Sequence, residues 1–140
     1  MSFGAAAASG GFARVSPDDP CPCGRDRFDG CCAPLLDGRD APTAERLMRS
    51  RYTAFVIGNA EYLRRTWHPR TRPSDVGLDP ATRWTGLEIV SAEAGAAGDE
   101  SGSVEFRARW RVGREHDELH ERSRFARRGA RWVYVDGEIL

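Results

Sequence analysis

Four cysteines fall within twelve residues, Cys21, Cys23, Cys31 and Cys32, and the chain has no others. Cys21-Pro22-Cys23 offers two thiols from one tight turn, and Cys31-Cys32 offers two more after seven intervening residues. Four thiolates converging from two turns suit a tetrahedral Zn²⁺ ion. Gly24 and Gly30 flank the pairs, where the backbone must turn sharply to aim sulfur inward. Arg25 and Arg27 in the intervening loop would offset the negative charge of such a site. Two other chemistries use the same residues. Two disulfides would each need a distant partner, since Cys31 and Cys32 do not readily bridge each other, and a cytosolic chain keeps its thiols reduced. A thiol redox site would call for Cys-x-x-Cys, which is absent. Four protein ligands leave no open coordination position, so the zinc reading is a structural one.

A second set of reactive side chains lies near the C-terminus. Leu119, Glu121, Ser123 and Phe125 share one phase of a strand, and Trp132, Tyr134 and Asp136 share one phase of the next. A two-residue turn at Arg128-Gly129 would pair Phe125 with Trp132, Ser123 with Tyr134, and Glu121 with Asp136. Two adjacent carboxylates raise the pKa of one of them, which gives an acid and a base at neutral pH. The simpler alternative pairs each carboxylate with an arginine such as Arg51, and a bulge would break the pairing altogether. Arg51 sits on an apolar helical stripe, either snorkelling at its edge or reaching into a polar pocket. His68 precedes Pro69 and so stands at a helix exit, as a C-terminal cap or as a pocket acid or base.

These residues need elements to place them. Ala44, Leu47, Met48, Tyr52, Phe55 and Val56 follow helical periodicity, with Pro42 expected in the first turn and Gly58-Asn59 at the end. Asn59 can cap a second helix over residues 60–67, whose inner face carries Tyr62, Leu63, Thr66 and Trp67. Residues 70–83 read as a loop broken by Pro73 and Pro80. Strands follow over residues 85–94, 104–112, 118–127 and 131–136. The second alternates without a fault: Val104, Phe106, Ala108, Trp110 and Val112 face in. Arg107, Arg109, Arg111, Arg122 and Arg124 gather on the outer phase with His120, as an anion or RNA surface or as a solvated face neutralised by acids such as Glu105 and Glu118.

Composition sets the limits. The 140 residues suffice for one domain and a small appendage. Twenty-one basic residues, all arginine, balance 21 acidic ones, so no net charge draws the chain to nucleic acid or membrane. No apolar run approaches the ~20 residues that span a bilayer. Residues 1–19 are rich in Ala, Gly and Ser without periodicity, lack the form of a secretory signal, and read as a disordered tail of a cytoplasmic protein. A metal knuckle is expected over residues 20–37 and a domain over residues 38–140.

CPCGRDRFDGCC resembles the SEC-C motif, the short zinc knuckle at the C-terminus of the SecA translocation ATPase and on many bacterial proteins. That motif has one residue more between its second and third ligands than the seven here. APTAERLMRSRYTAF, TWHPRTRP, WTGLEIV, VEFRARW, HERSRF and RWVYVDG resemble the bacterial YchJ family, whose members join a SEC-C knuckle to an NTF2-like domain. The resemblance implies an α+β fold: an NTF2-like cone of N-terminal helices packed on a curved four-stranded antiparallel sheet. It implies a structural Zn²⁺ on Cys21, Cys23, Cys31 and Cys32, and a pocket drawing on Arg51, Tyr52, Trp67, His68, Arg72, Glu121, Ser123, Tyr134 and Asp136. Three functions fit it. The first is an adaptor or ligand-binding module, with the knuckle touching protein or ribosome and a small anionic ligand near Arg51, His68 and Arg72. The second is an isomerase or lyase, in which Glu121 or Asp136 abstracts a proton while His68 or Tyr52 steadies the developing charge. The third is RNA contact through the outer arginines. NTF2-like domains also imply a homodimer through the sheet.

Overall fold

The structure, a computed structural model, describes residues 11–140. A short 3₁₀ turn (Phe28–Gly30) leads into α1 (Cys32–Leu36), followed by α2 (Ala44–Ile57) and α3 (Ala60–Arg65). Four strands complete the chain: β1 (Arg83–Ala94), β2 (Ser101–Val112), β3 (Glu115–Arg128) and β4 (Arg131–Ile139). They form one antiparallel meander in the order β1-β2-β3-β4, with the helices on one face. The architecture is the expected α+β one. Among the described residues no helix is long and apolar enough to cross a membrane.

α2 is the hub. Thr43 caps it by accepting from the Arg46 amide, so Pro42 precedes the helix instead of occupying its first turn. The helix is buried on more than one side: Leu47, Met48 and Tyr52 belong to the core, and Ser50, Thr53 and Ala54 are fully enclosed as well. It ends at Gly58, whose φ of 78° is left-handed. A side chain there would also strike the Phe12 ring, since a Cβ would lie 2.6 Å from Cγ. This corrects the expectation of a disordered tail over residues 11–19. Phe12 covers Gly58, the Ala13 amide donates to the Val56 carbonyl at 3.1 Å, and Asp19 closes a turn with Ser16. The remainder of the expected tail, residues 1–10, lies outside the described residues.

α3 stops at Arg65, two residues earlier than expected. Thr66 turns its hydroxyl onto the Tyr62 carbonyl, and Trp67 leaves the helix to make a parallel bridge with Tyr134. The Tyr134 amide donates to the Thr66 carbonyl and the His68 amide to the Tyr134 carbonyl, both at 2.8 Å. The sheet thereby captures the chain as it exits the helix.

The β3–β4 register departs from expectation twice. Gly129 and Ala130, not Arg128 and Gly129, form the turn, because Gly129 takes the left-handed φ of 67°. Arg128 therefore faces Arg131, Trp132 faces Arg127, and Tyr134 faces Phe125. The register then slips by one, so that Asp136 faces Arg124, Ser123 faces Gly137, and Glu121 faces Ile139. Val135 is the extra residue on β4, and it throws Asp136 onto the outer face. The expected Glu121–Asp136 carboxylate pair does not exist.

Candidate functional site

Two regions collect chemistry-bearing side chains, and they lie against opposite sides of α2. The first is the knuckle. Pro20 bridges Arg27, the Cys21 amide donates to the Asp26 carbonyl at 2.8 Å, and the Gly24 amide to the Cys21 carbonyl at 2.9 Å. This hairpin needs the left-handed φ of 84° at Gly24 and presents Cys21 and Cys23 on one side. The 3₁₀ turn then delivers Cys31 and Cys32. Gly30 has no positive φ; the irregular backbone falls at Cys31 itself.

All four sulfurs lie within 4.8 Å of one another, and every one of these cysteines is buried. A tetrahedral ion with metal–sulfur bonds of about 2.3 Å sets its sulfurs about 3.8 Å apart, so one metal ion fits the cluster. The thiols are free, which removes the disulfide reading. Their charges cannot coexist unaided. Contact with Cys23 and then Cys32 holds the Cys21 thiol far below its ordinary value. Contact with Cys21 pushes Cys23 up to about 12 and Cys32 higher still. A cation is what would let all four ionise together.

Arg25 and Arg27 do not serve as the offset expected of them; they pair at the surface with Asp26 and Asp29. The support comes from α2. Arg49 donates to the Cys23 carbonyl at 2.9 Å and Arg46 to the Cys31 carbonyl at 3.4 Å. The Thr53 hydroxyl, fully buried, donates to Cys32 Sγ at 3.4 Å and stands 3.7 Å from Cys21 Sγ. Arg46, Arg49 and Thr53 were missed from sequence, although their spacing puts them on one helical face.

The second region is a cavity of about 210 Å³ between α2 and the inner face of the sheet. Of the residues expected in a pocket, Arg51, Tyr52, Trp67, Glu121, Ser123 and Tyr134 line it. His68, Arg72 and Asp136 do not. His68 accepts from the Arg70 amide through Nδ1, Arg72 is exposed and donates to the Trp67 carbonyl, and Asp136 grips Arg124 with bonds of 2.6 and 2.5 Å. The Arg124 guanidinium holds the Asp136 carboxyl below the usual range. The remaining walls are Met48 and Phe55 of α2, Trp84 of β1, Phe106 and Ala108 of β2, and Leu119 and Phe125 of β3. Their inward phase was legible; that they leave a space between them was not.

Arg51 is a buried cation. Only 5% of it is exposed, and its guanidinium lies over the rings of both Trp67 and Tyr134, 4.9 and 4.6 Å from their centroids, the two rings themselves meeting edge to face. Nη1 donates to the Leu63 carbonyl at 2.9 Å and to Thr66 Oγ1 at 2.7 Å. Burial pulls the group down to about 10, against the pull of Tyr134, Tyr62 and Glu121, so it stays charged at neutral pH. It does not snorkel, and among the described residues it pairs with no carboxylate.

Glu121 is the cavity's anion. Its Oε2 accepts from Ser123 Oγ at 2.6 Å and from the Tyr134 hydroxyl at 3.4 Å. Burial and the Glu121 charge push Tyr134 up to about 12, which keeps it a neutral donor. The carboxylate lies directly over Gly137, where a Cβ would sit 2.0 Å from Oε2. Only glycine at that position leaves room for it. On the outer face of the sheet, four of the five arginines expected there are in ion pairs: Arg107 with Glu118, Arg109 with Glu88, Arg122 with Glu105, and Arg124 with Asp136.

Comparison with known proteins places this arrangement. The family described as YchJ, middle NTF2-like domain, matches residues 43–137. The UPF0225 protein of Streptomyces coelicolor is 56% identical over 126 residues, which cover 89% of this chain and 98% of its own. The UPF0225 protein of Deinococcus radiodurans is 48% identical over 124 residues, covering 86% of this chain and 89% of its own. The solution structure of a SEC-C motif containing protein from Rhodopseudomonas palustris is 32% identical with a TM-score of 0.74, covering 86% of this chain and 98% of that one. The crystal structure of another, from Psychrobacter arcticus, is 28% identical with a TM-score of 0.71, covering 89% and 84%. The family match over most of the chain and the identity to the UPF0225 relatives show that the chain belongs to the YchJ family, the UPF0225 proteins.

Proposed function

We propose that the protein is a small-ligand-binding module of the cytoplasm, with a zinc-clasped knuckle as its contact surface for another macromolecule. One observation carries the ligand-binding reading: a mostly aromatic cavity holds a buried arginine and a carboxylate that do not pair with each other. Buried charges are ordinarily neutralised by a direct partner. A buried Arg51 and a half-buried Glu121 that line one cavity without pairing are placed for something that touches both.

Cys21, Cys23, Cys31 and Cys32 would hold the zinc. Four thiolates with no open position supply folding free energy and no reaction chemistry. Thr53, Arg46 and Arg49 would orient the ligand-bearing backbone from outside. The exposed tip of the knuckle, with Arg25 and Arg27 each beside an aspartate, is the surface offered to a protein or ribosomal partner.

Native mass spectrometry of protein purified from cells tests both parts. The expected spectrum shows one zinc per chain and a further small mass that leaves on denaturation. Filling the cavity with Ala108→Leu should remove the small mass and keep the zinc. A zinc-loaded chain with no retained mass, and no shift in melting temperature across a fragment library, would sink the ligand-binding reading.

The enzymatic reading retains one supporting observation. Glu121 Oε1 has no hydrogen-bond donor among the described residues, as a general base requires. Asp136 and His68 drop out of that scheme because they lie outside the cavity. Proton abstraction from 5-nitrobenzisoxazole, compared between the wild type and Glu121→Gln, tests it; equal rates would remove it.

A further inference from the structure

The charges of the cavity limit what can occupy it, given the ligand-binding reading above. Arg51 contributes one positive charge and Glu121 one negative, and every other lining residue is neutral. The walls thus sum to zero. A bound anion would face Glu121 and a bound cation would face Arg51, each buried with no spare countercharge. An uncharged guest avoids both penalties.

The unused hydrogen-bonding atoms specify the guest further. Arg51 spends Nη1 on Leu63 and Thr66, while Nε and Nη2 have no acceptor among the described residues. Glu121 spends Oε2 on Ser123 and Tyr134, while Oε1 has no donor. Arg51 feels the Glu121 charge but forms no ion pair with it. A polar edge set between them must therefore show an acceptor to Arg51 and a donor to Glu121. Size and shape supply the rest. A cavity of about 150 Å³ holds benzene, so the 210 Å³ here admits one substituted ring or a compact bicycle. Trp84, Phe106 and Phe125 offer flat apolar walls for such a ring.

We propose that the cavity binds a small, flat, uncharged heterocycle whose edge carries a hydrogen-bond acceptor beside a donor, a cyclic amide being the simplest case, with the acceptor on Arg51 and the donor on Glu121. The arrangement is a neutral counterpart of a salt bridge. The ligand completes the Arg51–Glu121 pair by inserting one polar edge, and no proton needs to move.

Titration of the zinc-loaded full chain, followed by the fluorescence of Trp67 and Trp84, tests the class with five probes. These are 2-pyridone, N-methyl-2-pyridone, toluene, benzoate and benzylammonium. The expected order puts 2-pyridone about tenfold or more ahead of N-methyl-2-pyridone, which lacks only the donor to Glu121. Glu121→Gln should shrink that preference, and the two-probe comparison on the wild type stands even where the variant does not fold. Benzoate or benzylammonium binding more tightly than 2-pyridone overturns the proposal. So does toluene binding equally well, and in both of these cases the cavity remains a ligand site of another class. If no probe binds at all, toluene included, the ligand-binding reading itself fails with it.

Discussion

The knuckle and the cavity share α2 as a wall and are otherwise built in opposite ways. The knuckle takes four like side chains from twelve consecutive residues and closes them on a single centre. The cavity takes unlike side chains from α2, the α3 exit and all four strands, and leaves their polar atoms incompletely matched. One is a finished site, whose ligands satisfy one another's chemistry once an ion is present. The other is a site kept open. Local sequence can specify the first, whereas only the assembled sheet can specify the second.

Breaking the knuckle is the strongest test of that contrast. Cys31→Ser, or stripping with a chelator, should drop the metal content from one ion per chain to near zero. The lost binding free energy is on the order of 10 kcal/mol. If the two sides of α2 are independent, the strand signal in circular dichroism survives; collapse of that signal would make them one cooperative unit. Gly137→Ala attacks the other region. Its Cβ would lie 2.0 Å from Glu121 Oε2, so the carboxylate must shift, at about 1–3 kcal/mol. Urea unfolding should show the loss while metal content stays constant. Thr53→Val keeps the shape of the helix face and deletes the donor to Cys32. A fall in metal affinity of about tenfold is expected by chelator competition, with 2-pyridone binding unchanged.

The smallest effect belongs to neither region. The Arg124–Asp136 pair is largely solvated, and Asp136→Asn should change stability by less than about 1 kcal/mol. Its carboxyl is held below the usual range in the folded state. The stabilisation is therefore present above about pH 4 and is lost as pH falls through the lowered value. A pH titration of urea midpoints should show that slope disappear in the variant.

What could be read from sequence follows the same division. The cysteine spacing, the α2 stripe and the alternation of β2 from Val104 to Trp110 are local patterns that survive in the structure, whereas Val112, expected to face in, is exposed at the end of the strand. Arg51 and Glu121 were legible as polar residues at apolar phases. Asp136 was misplaced through two single-residue events: the choice of Gly129-Ala130 as the turn sets its partners, and the slip at Val135 sets its face. Neither alters the hydrophobic pattern enough to announce itself. The Thr53–Cys32 contact joins residues 21 apart in sequence. Its only trace was a polar face on α2, which looks the same whether it meets solvent or sulfur.

The bridge between Trp67 and Tyr134 reaches beyond the pocket. It occupies the outward-facing amide and carbonyl of Tyr134, midway along what would otherwise be a free margin of the sheet. At the opposite margin, β1 carries two irregularities, near Trp84 and near Ile89, that interrupt its ladder. Neither rim presents a straight run of unsatisfied backbone to a stray strand, so the meander is guarded against end-on polymerisation by its own connections.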